Sequence, residues 1–495
     1  MMSNNNKNKF SENKLLLIKL SLVAAVSVIV IIFFRQPGTG PDTGSFRNVI
    51  LISIDTLRAD MLGSYGNTDS LTPNIDALAS RSAVFSNTVS VSPWTIPTHF
   101  SIFTGLNPSK HKMNRTYYQD TYDKLPPLSK AIPTLGELLS KKGYRCVAFT
   151  GGGFMNSMFG YGRGFELYDN DCYQIDEAIP KFLSWLENNR SDRFFAFIHT
   201  YSCHFPYERA RQVKIHSNDR LIDIFDKTEE EYSNTTVMTR FTEDKLTAAL
   251  AMYKDSIYYI DMHLGIMLAH LENNDMMDDT MIIITSDHGE EFYDHGAFKH
   301  GDTMYAEQLN VPLIVYAPSL FKSGTAVNTI ASVVDIFPTL TESLGYNIAS
   351  DGISLVELYK GYSDREFIFS EASFYELKAL TSIRRKFIYN SQARKNPYIR
   401  SDNNLEFQLY NTAEDSDELT NIALIEPDTI HSIKARLDTI TDMNSSYDLD
   451  RDKNSVMRYF RDKIRSILKK KKDTTENSLD RESEIRKLKA LGYAQ

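Results

Sequence analysis

An α/β fold is what this 495-residue chain predicts: a central, mostly parallel sheet flanked by helices, followed by a smaller C-terminal antiparallel α+β subdomain. Two observations point to the sheet. Asn48–Ile54 (NVILISI) and Thr280–Ser286 (TMIIITS) are short, apolar, β-branched runs, each followed directly by an Asp. Runs with little alternation suit central parallel strands covered on both faces. The third observation is a change beyond Gly352, where alternating segments at 366–369, 379–389 and 407–410 give the pattern of a small antiparallel sheet.

The length exceeds one ordinary core, so a large domain with a smaller one after it is expected. With 42% apolar and 24% charged residues the composition is that of a globular protein, and a net charge of −9 gives no reason to expect a nucleic-acid partner. The three cysteines, Cys146, Cys172 and Cys203, are too few and too scattered for a disulfide framework or a cysteine zinc site.

The organisation starts with Leu15–Phe34, apolar apart from Lys19 and two serines and long enough to cross a hydrocarbon core of ~30 Å. Lys7, Lys9, Lys14 and Lys19 on its N-terminal side, against Arg35 after it, place residues 1–14 in the cytoplasm and export the rest. The bulky Ile31-Ile32-Phe33-Phe34 end favours an uncleaved anchor over a removed signal peptide. Residues 35–46 are rich in Gly, Pro, Thr and Ser and read as a tether, 47–350 as the catalytic domain, and 351–495 as the C-terminal subdomain and tail. Within 351–495, Lys469–Lys472 is a basic run read as solvated.

Inside the catalytic domain, Thr72 and Pro73 are good helix-start residues, with Ile75, Leu78, Ser82 and Phe85 on one face of the helix that follows. Thr134–Lys142 reads as a helix leading into strand Tyr144–Thr150, and Asp176–Asn188 as a helix leading into the aromatic strand Arg193–His199. Glu208–Ser233 is polar and aperiodic, as in a surface insertion or lid. The apolar spacing of Leu246, Leu250, Tyr253, Ile257, Ile260, Leu264, Leu268 and Leu271 predicts a long amphipathic helix, and Val333–Leu344 another against the main sheet.

The chemistry centres on Ser92-Pro93-Trp94-Thr95-Ile96-Pro97-Thr98-His99. Pro97 suits the first turn of a helix, so the Thr95 hydroxyl stands at a helix N-terminus, where free N–H groups and the dipole favour a tetrahedral oxyanion. Ligands in open α/β sheets collect at the carboxyl ends of strands. Asp55 after the first apolar strand, and Asp287 with His288 after the second, can therefore converge with Thr95 on one divalent ion, with Mn, Zn, Ca and Mg all compatible with this donor set.

Several stretches together resemble the sulfatase family of the alkaline phosphatase superfamily. They are Asp55-Thr56-Leu57-Arg58-Ala59-Asp60, Thr95-x-Pro97-Thr98-His99 leading to Thr104-Gly105, His199-Thr200-Tyr201-Ser202-Cys203-His204-Phe205-Pro206-Tyr207, Asp287-His288-Gly289-Glu290, and Asp294-His295-Gly296-Ala297-Phe298-Lys299-His300. The family's Cys-x-Pro-Ser-Arg is here Thr-x-Pro-Thr-His, a second Asp is replaced by Thr56, and a third by Ser202. A threonine cannot yield the formylglycine aldehyde of ordinary sulfatases, because its Cβ carries a methyl group. The resemblance therefore implies the threonine-nucleophile branch, an alkaline-phosphatase-like fold, and His99, His204 and His300 as groups that hold the ester's non-bridging oxygens, with His204 or His300 protonating the leaving group.

The expectation is a metal-dependent hydrolase of phosphate esters, with phosphodiesters and sulfate esters as further substrates, acting through a covalent Thr95 intermediate on an envelope glycan or lipid. A phosphoethanolamine or glycerol-phosphate group transferase is the alternative of the same chemistry. A non-catalytic binding protein on the same fold is the alternative of another class.

Overall fold

The computed structural model describes residues 46–114, 126–234, 241–372, 376–391, 405–445 and 447. The expected tail, anchor and tether up to residue 45, and the basic run 469–472, lie outside these. No helix among the described residues is long and apolar enough to cross a membrane.

The main sheet has eight strands: β1 (Asn48–Ile54), β2 (Ala83–Val89), β3 (Arg145–Phe149), β4 (Leu167–Asp169), β5 (Phe194–Thr200), β6 (Thr280–Thr285), β9 (Leu313–Tyr316) and β10 (Thr325–Ser332). Two short strands, β7 (Glu291–Phe292) and β8 (Phe298–Lys299), pair separately. The order across the sheet is β10-β2-β9-β6-β1-β5-β3-β4, and β9 alone runs antiparallel to its neighbours. β1, β5 and β6 are buried at every position. Their apolar runs are explained by two cores, one on each face. One contains Leu51, Phe197 and Ile283, and the other Ile52, Ile198 and Ile284. Alternate residues of a strand point to opposite faces, so each strand feeds both cores.

Register then fixes the site. Ser53 pairs with His199 of β5 and with Thr285 of β6, so the carboxyl ends of three adjacent strands finish level with one another. Asp55, His199 and Asp287 are thereby brought to one edge of the sheet.

The helices over the two faces include Pro73–Ala79, Thr95–Thr104, Leu135–Lys141, Ile175–Glu187, Glu243–Asn273 and Ile336–Ser343. The helix expected to carry Phe85 stops at Ala79, and Phe85 instead lies buried on β2. The expected surface insertion is also more ordered than its polarity suggested. It contains a helix, Asp219–Asn234, which buries Phe225 against Phe205 and Tyr207.

A second sheet, β11 (Ile368–Ala372), β12 (Leu377–Thr381), β13 (Lys386–Asn390) and β14 (Phe407–Tyr410), is an antiparallel meander. The single alternating segment expected at 379–389 is in fact two strands, β12 and β13, reversed at Ser382–Arg385, where the Ser382 and Arg385 backbones hydrogen-bond. This sheet is tied to the larger one at several points. Ser370 Oγ donates to the Ser90 carbonyl at 2.6 Å, Glu371 N–H donates to the Val91 carbonyl at 2.9 Å, and the fully buried Lys386–Glu418 ion pair (2.7 Å) lies next to His295, whose Nε2 donates to the Glu418 carbonyl. Burying such a pair is tolerable because both partners are present.

Candidate active site

Thr95 is the first residue of the helix Thr95–Thr104, which therefore starts earlier than its proline suggested; Pro97 sits within the first turn, where its missing N–H costs nothing. The whole helix is buried, so the Thr95 hydroxyl stands at a helix N-terminus inside the protein. His111 holds this helix in place: its Nε2 lies 3.1 Å from both the Pro97 carbonyl and Ser101 Oγ.

Thr95 Oγ donates to Asp55 Oδ2 at 3.3 Å and lies 3.5 Å from His288 Nε2. That nitrogen is in turn 3.3 Å from Asp287 Oδ2 and 3.9 Å from Asp55 Oδ1. His288 Nδ1 faces the Gly289 carbonyl at 3.0 Å and must donate to it, so Nε2 turns its other valence toward the two carboxylates. All four side chains are fully buried. Asp55 Oδ1 and Asp287 Oδ2 have no hydrogen-bond partner.

Such a group is costly without a cation. Burial pushes the Asp55 carboxyl up to about 7, against the attraction of His288, and raises Asp287 as well. Burial opposes the charged form of His288, but Asp287 and Asp55 outweigh it and raise its pKa, so a proton on Nε2 does part of what a metal ion would do. Two orphaned carboxylate oxygens, one imidazole nitrogen and one hydroxyl, all converging, fit a divalent cation. Asp55, Asp287, His288 and Thr95 would hold it.

Thr56, where many sulfatases carry a further Asp, turns away from this point. Its hydroxyl donates to the Cys203 carbonyl at 2.9 Å, its carbonyl accepts from Tyr253 Oη at 2.7 Å, and its φ of 62° is a strained value for a β-branched residue. Ser202 likewise serves the backbone: its hydroxyl accepts from the Ile175 N–H and so secures the start of the helix Ile175–Glu187.

Beside the acidic group runs a row of imidazoles. His288 and His300 have ring centroids 4.2 Å apart, and His300 and His204 are 5.0 Å apart. His204 Nδ1 donates to the Phe205 carbonyl at 2.6 Å, and His300 Nδ1 faces Glu290 Oε1 at 2.7 Å. Tyr207 Oη also donates to Glu290, which is buried and raised in pKa by that burial. Burial and neighbouring cationic groups depress His204 and His300 well below the usual imidazole value, so both are neutral at rest.

His99 sits differently from His204 and His300. Its Nδ1 donates to the Thr95 carbonyl at 2.9 Å and its Nε2 accepts from Ser53 Oγ at 2.9 Å, while burial lowers its pKa to about 3. His199, which is not among the expected site residues, has Nε2 3.3 Å from Asp55 Oδ2. It stands at the carboxyl end of a buried strand, the same signal that singled out Asp55. Glu290 had been visible as the last residue of Asp287-His288-Gly289-Glu290, but nothing in the sequence tied it to His300.

The family model described as Sulfatase matches residues 47–346. The chain belongs to the sulfatase family. A second family model, N-sulphoglucosamine sulphohydrolase, C-terminal, matches residues 293–446. Among curated proteins, this sulfatase-family chain is 23% identical to a Delta 4,5-hexuronate-2-O-sulfatase of Bacteroides thetaiotaomicron over 358 residues, 64% of this chain and 73% of the relative. It is 24% identical to human arylsulfatase K, over 86% of this chain and 88% of the relative. Among solved structures it resembles the phosphonate monoester hydrolase of Agrobacterium radiobacter, with a TM-score of 0.63 and 21% identity over 80% of this chain and 96% of that one. It also resembles a protein solved with its substrate D-glucosamine-2-N,6-O-disulfate, with a TM-score of 0.64 and 17% identity over 82% of this chain and all of that one. These structural likenesses establish the alkaline-phosphatase-like fold. The family assignment makes the protein a sulfuric or phosphoric ester hydrolase.

Proposed function

We propose that this protein is a membrane-anchored, extracytoplasmic hydrolase of phosphate esters that works through a covalent intermediate on Thr95. The observation that carries the reading is the placement of a buried threonine hydroxyl at a helix N-terminus, 3.3 Å from Asp55 and 3.5 Å from His288. A bound divalent cation would supply Lewis acidity to the hydroxyl and to the ester's oxygens.

The chain's own residues supply the rest. As the Thr95 Oγ–P bond forms and the bond from phosphorus to the leaving oxygen breaks, the Thr95 proton passes to Asp55 Oδ2. The ester's negative charge raises the proton affinity of the facing His300 and His204, and whichever has taken up a proton on Nε2 delivers it to the departing alkoxide. Glu290 fixes His300 by accepting from Nδ1, which aims Nε2 away from itself. Water then attacks phosphorus, passing its proton to that Nε2, and Thr95 leaves and recovers its proton from Asp55 Oδ2. The helix N-terminus stabilises the equatorial oxygens through both steps.

A threonine ester of sulfate lacks the geminal hydroxyl that lets a formylglycine enzyme expel sulfate, so phosphate esters are the preferred class. The second reading is hydrolysis of sulfated sugars, which the names of the curated relatives and of the C-terminal family favour. Matched aryl phosphate, phosphodiester and sulfate substrates, each assayed with Mn²⁺, Zn²⁺, Mg²⁺ and Ca²⁺, separate the two. The proposal expects faster turnover of phosphate, and a sulfate preference under every metal overturns it.

A further inference from the structure

Asp287 belongs to two groups of ligand-type side chains. One is Asp55, Asp287 and His288; the other is His99, His199 and Asp287, and in each the ligand atoms lie within 4.8 Å of one another. We propose that the second group binds a second divalent cation of the zinc type, with the Asp287 carboxylate shared between the two ions.

Three observations converge on this. His199 Nδ1 and Asp287 Oδ2 are buried and have no hydrogen-bond partner, and His199 and Asp287 are themselves fully buried. A polar atom shut away from water keeps such a vacancy only at a cost, and a cation fills it. His99 places Nε2 against Ser53 Oγ at 2.9 Å and Nδ1 3.6 Å from Asp287 Oδ2, so the hydroxyl can accept the ring proton once Nδ1 gives it up to a cation. The Thr95 carbonyl that Nδ1 now faces lies in the first turn of its helix and has the N–H four residues on, so it does not depend on the imidazole. With a cation on Nδ1, the ring proton moves to Nε2 and is donated to Ser53 Oγ.

Charge points the same way. Asp55, Asp287 and Glu290 are fully buried carboxylates, and Lys299 lies close enough to Glu290 to interact with it electrostatically. One divalent ion balances Asp55 and Asp287 and leaves nothing for the negative ester that must enter. A second ion supplies that balance. Two imidazoles and one carboxylate from three elements suit zinc better than calcium or magnesium.

The inference shares Asp287 with the reading of Thr95 as nucleophile, but occupancy is measured without turnover. The full-length chain is loaded with Zn²⁺, desalted and analysed for zinc per chain, and crystals are examined by anomalous scattering at the zinc edge. The expected result is two zinc ions in the unaltered chain, with one anomalous peak among His99, His199 and Asp287, and one zinc ion in His99→Gln and in His199→Ala. A single ion in the unaltered chain, located among Asp55, Asp287 and His288, overturns the inference and leaves the Thr95 reading standing. So do two ions retained in both histidine variants. An unaltered chain that binds no cation of any kind overturns both. Should either variant fail to fold by circular dichroism, the anomalous map of the unaltered chain decides alone.

Discussion

Removing the Asp55 charge should stabilise the metal-free protein while destroying its metal site. In the fold, burial carries the Asp55 carboxyl from its ordinary 3.8 to about 7. Keeping it ionised in the metal-free state therefore costs ~4 kcal/mol above pH 7. Because the folded form holds its proton more tightly than the unfolded chain, this destabilisation is absent below pH ~4 and grows as pH rises toward 7. His288 acts in the same direction: its raised pKa gives stability that is lost as pH rises through the folded value. Asp55→Asn removes the ionisation cost but buries an amide N–H at the Oδ1 position, which has no partner, at a cost of ~1–2 kcal/mol. The net gain is ~2–3 kcal/mol, or ~5 °C in Tm at ~2 °C per kcal/mol for a large domain. Thermal unfolding with EDTA, at pH 5 and pH 8, measures it. The variant should melt above the unaltered chain at pH 8 and close to it at pH 5, and saturating divalent cation should reverse the order, since only the unaltered chain keeps both carboxylate ligands. A variant that melts below the unaltered chain at pH 8 in EDTA would refute the reasoning.

Thr95→Ala should lower turnover of every ester by at least ~10³-fold while costing only ~1 kcal/mol of stability, because its two contacts are long; rate measurement beside thermal unfolding checks both halves. Glu290→Gln should lower kcat by ~10–100-fold with little change in KM, since it releases His300 rather than the substrate. Steady-state kinetics show whether the loss falls on KM instead. Protease shaving of whole cells should remove Lys112–Gln495 without lysis of the inner membrane, as the lysine asymmetry around Leu15–Phe34 requires. A domain that becomes sensitive only after lysis contradicts that orientation.

What could be read in the sequence follows from which forces are local. β1 and β6 were legible because strands buried on both faces must be apolar throughout, and the Asp after each was legible because strand ends gather ligands. The direction of β9 was not, since an apolar run reads the same either way along the sheet. Phe85 was assigned to a helix because its spacing from Ile75 and Leu78 fits one, yet Ser80-Arg81-Ser82 ends that helix and the alternating residues after it pair with β9 and β10. The helix Asp219–Asn234 was hidden by its charges, since its packed apolar residues among those described, Leu221, Ile222, Ile224 and Phe225, are confined to its first turns. In the site, Thr95, Asp55, Asp287 and His288 each carried a local signal. His199 carried the same signal as Asp55, but only the register with Ser53 shows that it meets Asp55, and register is set by the whole sheet.

The central claim is that Thr95 carries the ester's phosphoryl group between the two half-reactions. The direct measurement is acid quenching of the full-length enzyme during turnover of a ³²P-labelled aryl phosphate, followed by proteolysis and mass-spectrometric mapping of the labelled peptide. The account predicts phosphothreonine at Thr95 in the unaltered chain and no label in Thr95→Ala. Label on any other residue, or turnover by the unaltered chain with no trapped label despite a burst of released alcohol, would contradict it.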